Sequence, residues 1–268
     1  MNKENVCWWG VFRVPTGTAK RWTIGPLTLH VQRLADEWRV ASQTADDPFA
    51  SEVTVAEKSF ADRAALFEMG TAARTAQIDD SEEIALVPAL PDRSVVTSSE
   101  RPLTVLPGEK AAIFVSSPLW VRLERPDGDL LEELPIYRPS DTWFGPNTRQ
   151  GELCYASRTT YRTSVELIPA LPHRAITEVE MDNQAGSPIR VDRMQLPVKH
   201  LSVFLAADGR LRTEDVVFRR GDAQDLAELK LREGIRTAAG SAAPEKISGP
   251  RERPQGNLAI RAFGSIFK

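Results

Sequence analysis

Leu86-Val87-Pro88-Ala89-Leu90-Pro91-Asp92-Arg93-Ser94-Val95 returns further along the chain as Leu167-Ile168-Pro169-Ala170-Leu171-Pro172-His173-Arg174-Ala175-Ile176. Self-similarity of this kind marks an internal duplication. The likeness continues downstream. Pro102-Leu103-Thr104-Val105 precedes Leu106-Pro107, Pro188-Ile189-Arg190-Val191 precedes Leu196-Pro197, and each is followed by an apolar run ending in Phe. Two copies imply two related β units, which is a statement about architecture and not about chemistry.

Working outward, the turn residues set the strands. Leu103-Thr104-Val105-Leu106 leads into Pro107-Gly108, strands are expected over Ala111 to Val115 and Leu119 to Leu123, and Pro126-Asp127-Gly128-Asp129 closes a hairpin. Asp-Gly tolerates the positive backbone angles that a two-residue turn demands. Asp208-Gly209 repeats the device between Leu201 to Leu205 and Thr213 to Phe218. Before the first repeat, Trp9, Val11 and Arg13 alternate with Trp8, Gly10 and Phe12. Pro15-Thr16-Gly17-Thr18 then turns the chain into a strand around Trp22 and Ile24, giving an expected hairpin. Leu27, Leu29, Val31 and Arg33 share one face and Glu37-Trp38-Arg39-Val40-Ala41 adds a strand, so the N-terminal region reads as an antiparallel meander.

Between Glu57 and Ala76 a short helix and its absence are equally compatible with the pattern, because Phe60, Ala64 and Phe67 fit a helical stripe and Gly70 resists one. Asp79-Asp80-Ser81-Glu82-Glu83 reads as a solvated loop. After the second unit, Asp222 caps an expected helix carrying Leu226 and Leu229, with Glu228 and Arg232 paired and Gly234 ending it. Thr237 to Gly256 has too little apolar surface to offset the entropy of ordering, and reads as a flexible linker. The fold expected is therefore all-β. It comprises an N-terminal β-meander domain over 1–85, an antiparallel β-sandwich of duplicated units over 86–220, and a helix, flexible linker and apolar C-terminal segment over 221–268.

Composition narrows function mainly by exclusion. The chain has 268 residues, 41% hydrophobic and 26% charged, ordinary values for a globular protein that buries a full core. A formal charge of −3 gives no basic field to hold phosphate backbones, so nucleic acid is not an expected partner. Cys7 and Cys154 lack any zinc spacing and read as two reduced, buried thiols. The N-terminus runs into Cys7-Trp8-Trp9-Gly10-Val11-Phe12-Arg13, too short and interrupted for a secretion signal, and no window approaches the ~20 apolar residues that span a bilayer. A cytoplasmic chain without direct membrane insertion is expected.

Chemistry-bearing residues concentrate between the two repeats. Asp141, Trp143, Phe144, Glu152 and Tyr155 combine aromatics with carboxylates, as ligand pockets do. One reading makes Trp143 and Tyr155 the walls of a cleft and Asp141 and Glu152 its polar groups. The other makes the same residues a buried corner. An acid and base pair from Asp141 and Glu152 requires a separation that loop spacing cannot supply. Glu178, Glu180 and Asp182 lie along one strand face, which spreads carboxylates out instead of converging them on calcium. His30, His173 and His200 stand singly, no G-x-S-x-G elbow occurs, and no glycine-rich phosphate loop is present, so no catalytic residue, metal or cofactor is assigned. At the C-terminus Leu258, Ile260, Phe263, Ile266 and Phe267 form an apolar segment. Ile260, Phe263 and Phe267 have the spacing of a helix that fills a partner's groove, or of one that folds back onto its own chain.

Several motifs in order, Trp9-Gly10, Ile24-Gly25-Pro26-Leu27, Glu37-Trp38, Pro118-Leu119-Trp120-Val121, Asp141-Thr142-Trp143-Phe144-Gly145, Gly151-Glu152-Leu153-Cys154-Tyr155 and Leu196-Pro197-Val198, resemble the prokaryotic family catalogued as domain of unknown function 432. The resemblance runs from about Trp8 to Phe218, leaves the tail after Arg220 outside, and brings no reaction or cofactor with it. It suggests a cytoplasmic partner of a membrane protein such as a small mechanosensitive channel. The leading expectation is a non-catalytic protein-binding or accessory module, of unknown oligomeric state. The alternative is a carbohydrate or small-ligand binder or hydrolase using a cleft around Trp143.

Overall fold

Residues 6–58, 71–77, 80–157, 159–221, 227–232, 234–235, 242–253, 258–260 and 263–264 are described by the computed structural model. They form an all-β protein of four sheets, one of them curled into a half-barrel. Among the described residues the helical elements are short 3-10 turns, Val165–Leu167 and Val198–His200, and no helix is long and apolar enough to cross a membrane. The chain divides into two compact units and passes from one to the other after Ala89, Pro118, Tyr137, Ala170 and His173.

Unit 1 holds two sheets. The meander is β2 (Ala19–Ile24), β3 (Leu27–Arg33) and β4 (Glu37–Thr44), flanked by β5 (Val53–Lys58) on β2 and β6 (Thr71–Ala76) on β4. Leu27, Leu29 and Val31 alternate on one face of β3, all at 1% exposure or less. His30, Gln32 and Arg33 are buried too, so the central strand is covered on both faces. The β2–β3 turn is Gly25-Pro26, with Gly25 at φ +56°. The other sheet has the order β1 (Gly10–Arg13), β7 (Glu83–Ala89), β10 (Trp120–Glu124), β11 (Leu130–Pro135). The expected first hairpin is therefore corrected: Gly10 to Arg13 pair with Glu83 to Leu86 and not with β2. Trp8 is fully buried, its Nε1 donating to Pro172 O at 2.9 Å.

Unit 2 holds the other two sheets. One runs β12 (Asp141–Asn147), β13 (Gln150–Ala156), β8 (Val95–Val105), β15 (Ile189–Leu196), β22 (Phe263–Gly264). The other centres on β14 (Arg174–Asn183), antiparallel to β9 (Lys110–Pro118) along one side and parallel to β17 (Leu211–Arg212) and β18 (Val216–Arg220) along the other. It extends through β16 (Val203–Leu205) to β20 (Glu245–Ser248), and through β19 (Ala227–Leu231) to β21 (Leu258–Ile260). Burial of Arg174 pushes its guanidinium down to about 10, still cationic at neutral pH. Ser116 Oγ at 2.8 Å and Thr159 Oγ1 at 3.0 Å are among its acceptors.

The two prolyl decapeptides lie in unlike settings. Leu86 to Ala89 close strand β7 of unit 1, whereas Leu167 ends a 3-10 turn and Ile168 to Ala170 form no strand. Beyond the prolines the copies converge: Val95 opens β8 and Ile176 lies near the start of β14. The strands then exchange partners, β8 pairing with β15 and β14 with β9, so the strand that follows each decapeptide pairs with the second strand after the other.

The expected C-terminal helix is overturned. Ala227 to Leu231 are strand β19 between β18 and β21, because Ala-Glu-Leu-Lys-Leu alternates with period two and Leu229 is 2% exposed; 222–226 lie outside the described residues. Part of the expected linker is also docked. Glu245 to Ser248 pair with β16, and Lys199 binds Glu252 at 3.0 Å, main-chain bonds supplying what the side chains lack. The helix posed for Glu57 to Ala76 falls largely on 59–70, outside the described residues, and its described ends are strands. Of the carboxylates along this face of β14, Asp182 is buried and ion-paired with Lys110 and Arg219, and Glu180 pairs with Arg232 at 2.8 Å. Cys7 is exposed and only Cys154 is buried.

Candidate functional site

The candidate residues between the repeats form a two-stranded ribbon at the edge of the β8 sheet. Antiparallel register sets Asp141 opposite Tyr155, Trp143 opposite Leu153 and Phe144 opposite Glu152. Directly opposed residues share a face and successive residues alternate. Asp141, Trp143, Leu153 and Tyr155 therefore leave the ribbon on one side, and Thr142, Phe144, Glu152 and Cys154 on the other.

This splits the cleft expected from sequence. Asp141 and Glu152 point to opposite faces and cannot flank one bond. Asp141 is held by Arg138 Nη2 at 2.9 Å and by Arg93 Nη1 at 3.3 Å, and both guanidiniums lie 5.4 Å from the Tyr155 ring centroid. The Asp141 contact holds the Arg138 guanidinium above its ordinary pKa. Tyr155 is buried and its hydroxyl donates to Asp92 at 3.0 Å; burial first, then that bond, pushes the phenol up. Trp143 shares the face of Tyr155 as an exposed ring, its Nε1 donating to Asn147 O at 2.9 Å.

The opposite face is built differently. Phe144, Cys154 and Val96 pack as a buried cluster. Burial, and secondarily the charge of Glu152, pushes the Cys154 thiol up to about 12, so it is not a nucleophile at neutral pH. Arg193 of β15 lies 5.8 Å from the Phe144 ring centroid and donates to Thr142 Oγ1 and Trp143 O, both at 3.2 Å. The sheet thus curls far enough for β15 to reach β12. Beside this cluster opens a groove of about 520 Å³, lined by Ser94, Phe144, Pro146, Glu152, Gln195 and Lys199 among others. Glu152 Oε1 accepts from Ser94 Oγ at 2.9 Å and Oε2 from Gln195 Nε2 at 2.6 Å. Both donor residues are buried, at 1% and 4% exposure, while Glu152 itself is exposed.

Sequence reasoning found Phe144 and Glu152 of this groove, set His200 aside as a lone histidine, and missed Ser94, Gln195 and Lys199. A signal existed for two of them: Ser94 stands in the repeated decapeptide, and Gln195 abuts the Leu196-Pro197-Val198 motif. Among the described residues no group of three or more His, Cys, Asp or Glu side chains could hold a metal ion.

The apolar C-terminal residues lie elsewhere. Leu258 and Ile260 pair with Leu229 and Ala227, and Phe263 pairs with Met194, so the chain adds strands to its own sheets in place of a groove-filling helix. Ile266 and Phe267 lie outside the described residues.

The family model described as a protein of unknown function (DUF432) matches residues 8–268, and the chain belongs to that family. The match includes the tail after Arg220, which the sequence resemblance left outside. No curated protein matches the chain.

Proposed function

We propose that this DUF432 chain is a non-catalytic binding module that engages another protein in the cytoplasm through the β12–β13 ribbon. The observation that carries the reading is the Trp143–Leu153 pair. The two apolar side chains stand directly opposite one another on one face and remain 41% and 44% exposed. Tryptophan is enriched among the residues that dominate interface energetics, and a polar rim is usual around such anchors. Here Arg93, Arg138 and Asp141 supply that rim on the same ribbon face. The resemblance to a family associated with small mechanosensitive channels directs the search for the partner to the cytoplasmic part of such a channel. We further infer that the β8 and β14 sheets are the two layers of a sandwich, supported by each copy of the duplication contributing one strand to both.

The test is quantitative capture of a solubilised small mechanosensitive channel by the full chain and by Trp143→Ser. An interface anchor of this kind predicts a loss of affinity of about thirtyfold with an unchanged unfolding midpoint. Equal capture by both proteins, or by neither, refutes the proposal. A second reading, small-ligand binding with carbohydrate as one candidate, is favoured by the groove beside Phe144 and not by Trp143. The hydrolase form of it loses its acid and base pair, since Asp141 and Glu152 face apart.

A further inference from the structure

Glu152 stands in a setting unlike the protein's other acceptors along this ribbon. Asp141, on the opposite face, has two arginine partners. Glu152 has two hydrogen bonds from neutral donors, and among the described residues no lysine, arginine or histidine pairs with it. Its donors are themselves buried, and one bond to each oxygen sets the direction of the carboxylate. Each oxygen has accepted one bond and retains capacity for another. The groove that it borders is of small-ligand scale. Its other charged lining residue is already neutralised, because Lys199 Nζ lies 3.0 Å from Glu252 Oε2. His200, also in the lining, has Nδ1 3.0 Å from Glu252 O, which orients the ring. Phe144, Pro146 and Pro197 give the same groove apolar wall.

A preset, unpaired carboxylate beside apolar wall matches one ligand chemistry: an aliphatic stem ending in a positively charged nitrogen. The stem lies against proline and phenylalanine while the head meets both carboxylate oxygens. We propose that the groove lined by Phe144, Glu152 and Gln195 binds an ammonium or guanidinium group carried on an aliphatic chain. The group comes from a free amine or from a lysine or arginine side chain. The site goes beyond the protein-binding reading, since it lies on the ribbon face opposite Trp143.

The test titrates the full chain at low salt with Nα-acetyl-arginine amide, Nα-acetyl-lysine amide, putrescine and the neutral Nα-acetyl-norleucine amide. Calorimetry and amide chemical shifts provide the readouts. The cationic probes are expected to bind at least about tenfold more tightly than the norleucine probe, as a charge-assisted contact requires. The shifts should concentrate at Gly145, Gly151, Glu152 and Gln195. Glu152→Gln, which keeps the side-chain shape, is expected to erase that preference. Tighter binding of putrescine assigns the group to a free amine, and tighter binding of the amino-acid probes assigns it to a partner chain. Equal binding of the norleucine probe overturns the proposal, as does a cation preference intact in Glu152→Gln or shifts scattered away from the groove. The chemical-shift map on the unmodified chain decides the matter even if the variant does not fold. Trp143→Ser should leave cation binding intact, so failure of this site and failure of the docking ribbon are separable.

Discussion

Replacing Gly25 by alanine tests the packing of unit 1 at its tightest turn. Gly25 joins β2 to β3 at φ +56°, where a side chain costs about 1–2 kcal/mol through contact with its own backbone. A Cβ built there would also lie 2.4 Å from Nδ1 of His173 and 2.7 Å from the carbonyl oxygen of Ala50. His173 cannot move aside freely, because it is fully buried and its Nε2 lies 3.1 Å from Pro48 O. Overpacking against such neighbours costs a further ~1–3 kcal/mol. Gly128→Ala is the control within the same unit. Its φ of +97° is less favourable for alanine, but nothing lies within 4 Å of the added carbon. Trp8, Trp9, Trp22, Trp38 and Trp120 all belong to unit 1, so urea unfolding followed by tryptophan fluorescence reports mainly on it. Gly25→Ala should lose about 2–5 kcal/mol, and clearly more than Gly128→Ala, with an unchanged m-value. A loss at Gly25 of no more than about 2 kcal/mol would refute the argument, since the backbone alone would then account for it.

Thiol chemistry and acid titration give two further expectations. With the Cys154 thiol pushed up to about 12 by burial and Cys7 exposed, iodoacetamide at mildly alkaline pH should modify only Cys7 in the native chain. Mass spectrometry finding Cys154 alkylated before denaturation would contradict the packing around Phe144. Burial alone would raise the pKa of Glu180, but its bond to Arg232 and the charges of Arg232 and Lys110 outweigh burial and hold the carboxyl below its usual range. A depressed folded pKa stabilises above the unfolded value, and the stabilisation is lost as pH falls through the folded value. Glu180→Gln should therefore be less stable than the parent at neutral pH, with the gap closing under acid. Urea midpoints showing the same gap throughout would remove the ion pair as its cause.

The all-β class was legible because its signals are local. Gly25-Pro26 is a two-residue hairpin turn, Asp127-Gly128 and Asp208-Gly209 lie in longer hairpin connections over 125–129 and 206–210 with only the glycine at positive φ, and Leu27, Leu29 and Val31 alternate into the core as read. What sequence could not supply was strand pairing, which depends on residues far apart. Nothing near Gly10 to Arg13 shows that they pair with β7 in place of β2. The β19 segment was misread because Leu226 and Leu229 satisfy a helical spacing while Ala227, Leu229 and Leu231 satisfy period two, and five residues are too few to separate the two. The candidate site was half legible for the same reason. Composition singled out Trp143 and Glu152, but which face each occupies follows from the Phe144–Glu152 register, and Ser94 and Gln195 come from other strands.

The route of the chain bears on how it is made. A ribosome delivers β7 well before β10, β11 and the tripeptide Leu171–His173, all of which belong to unit 1, so Ala85 to Ala89 wait with one strand edge bare during synthesis. Bare edges invite pairing with the wrong strand. Unit 2 waits longer still, until β21 and β22 at the far end have emerged. A chain cut short after β11 would leave both units unfinished, and synthesis should depend on chaperones until β22 has emerged.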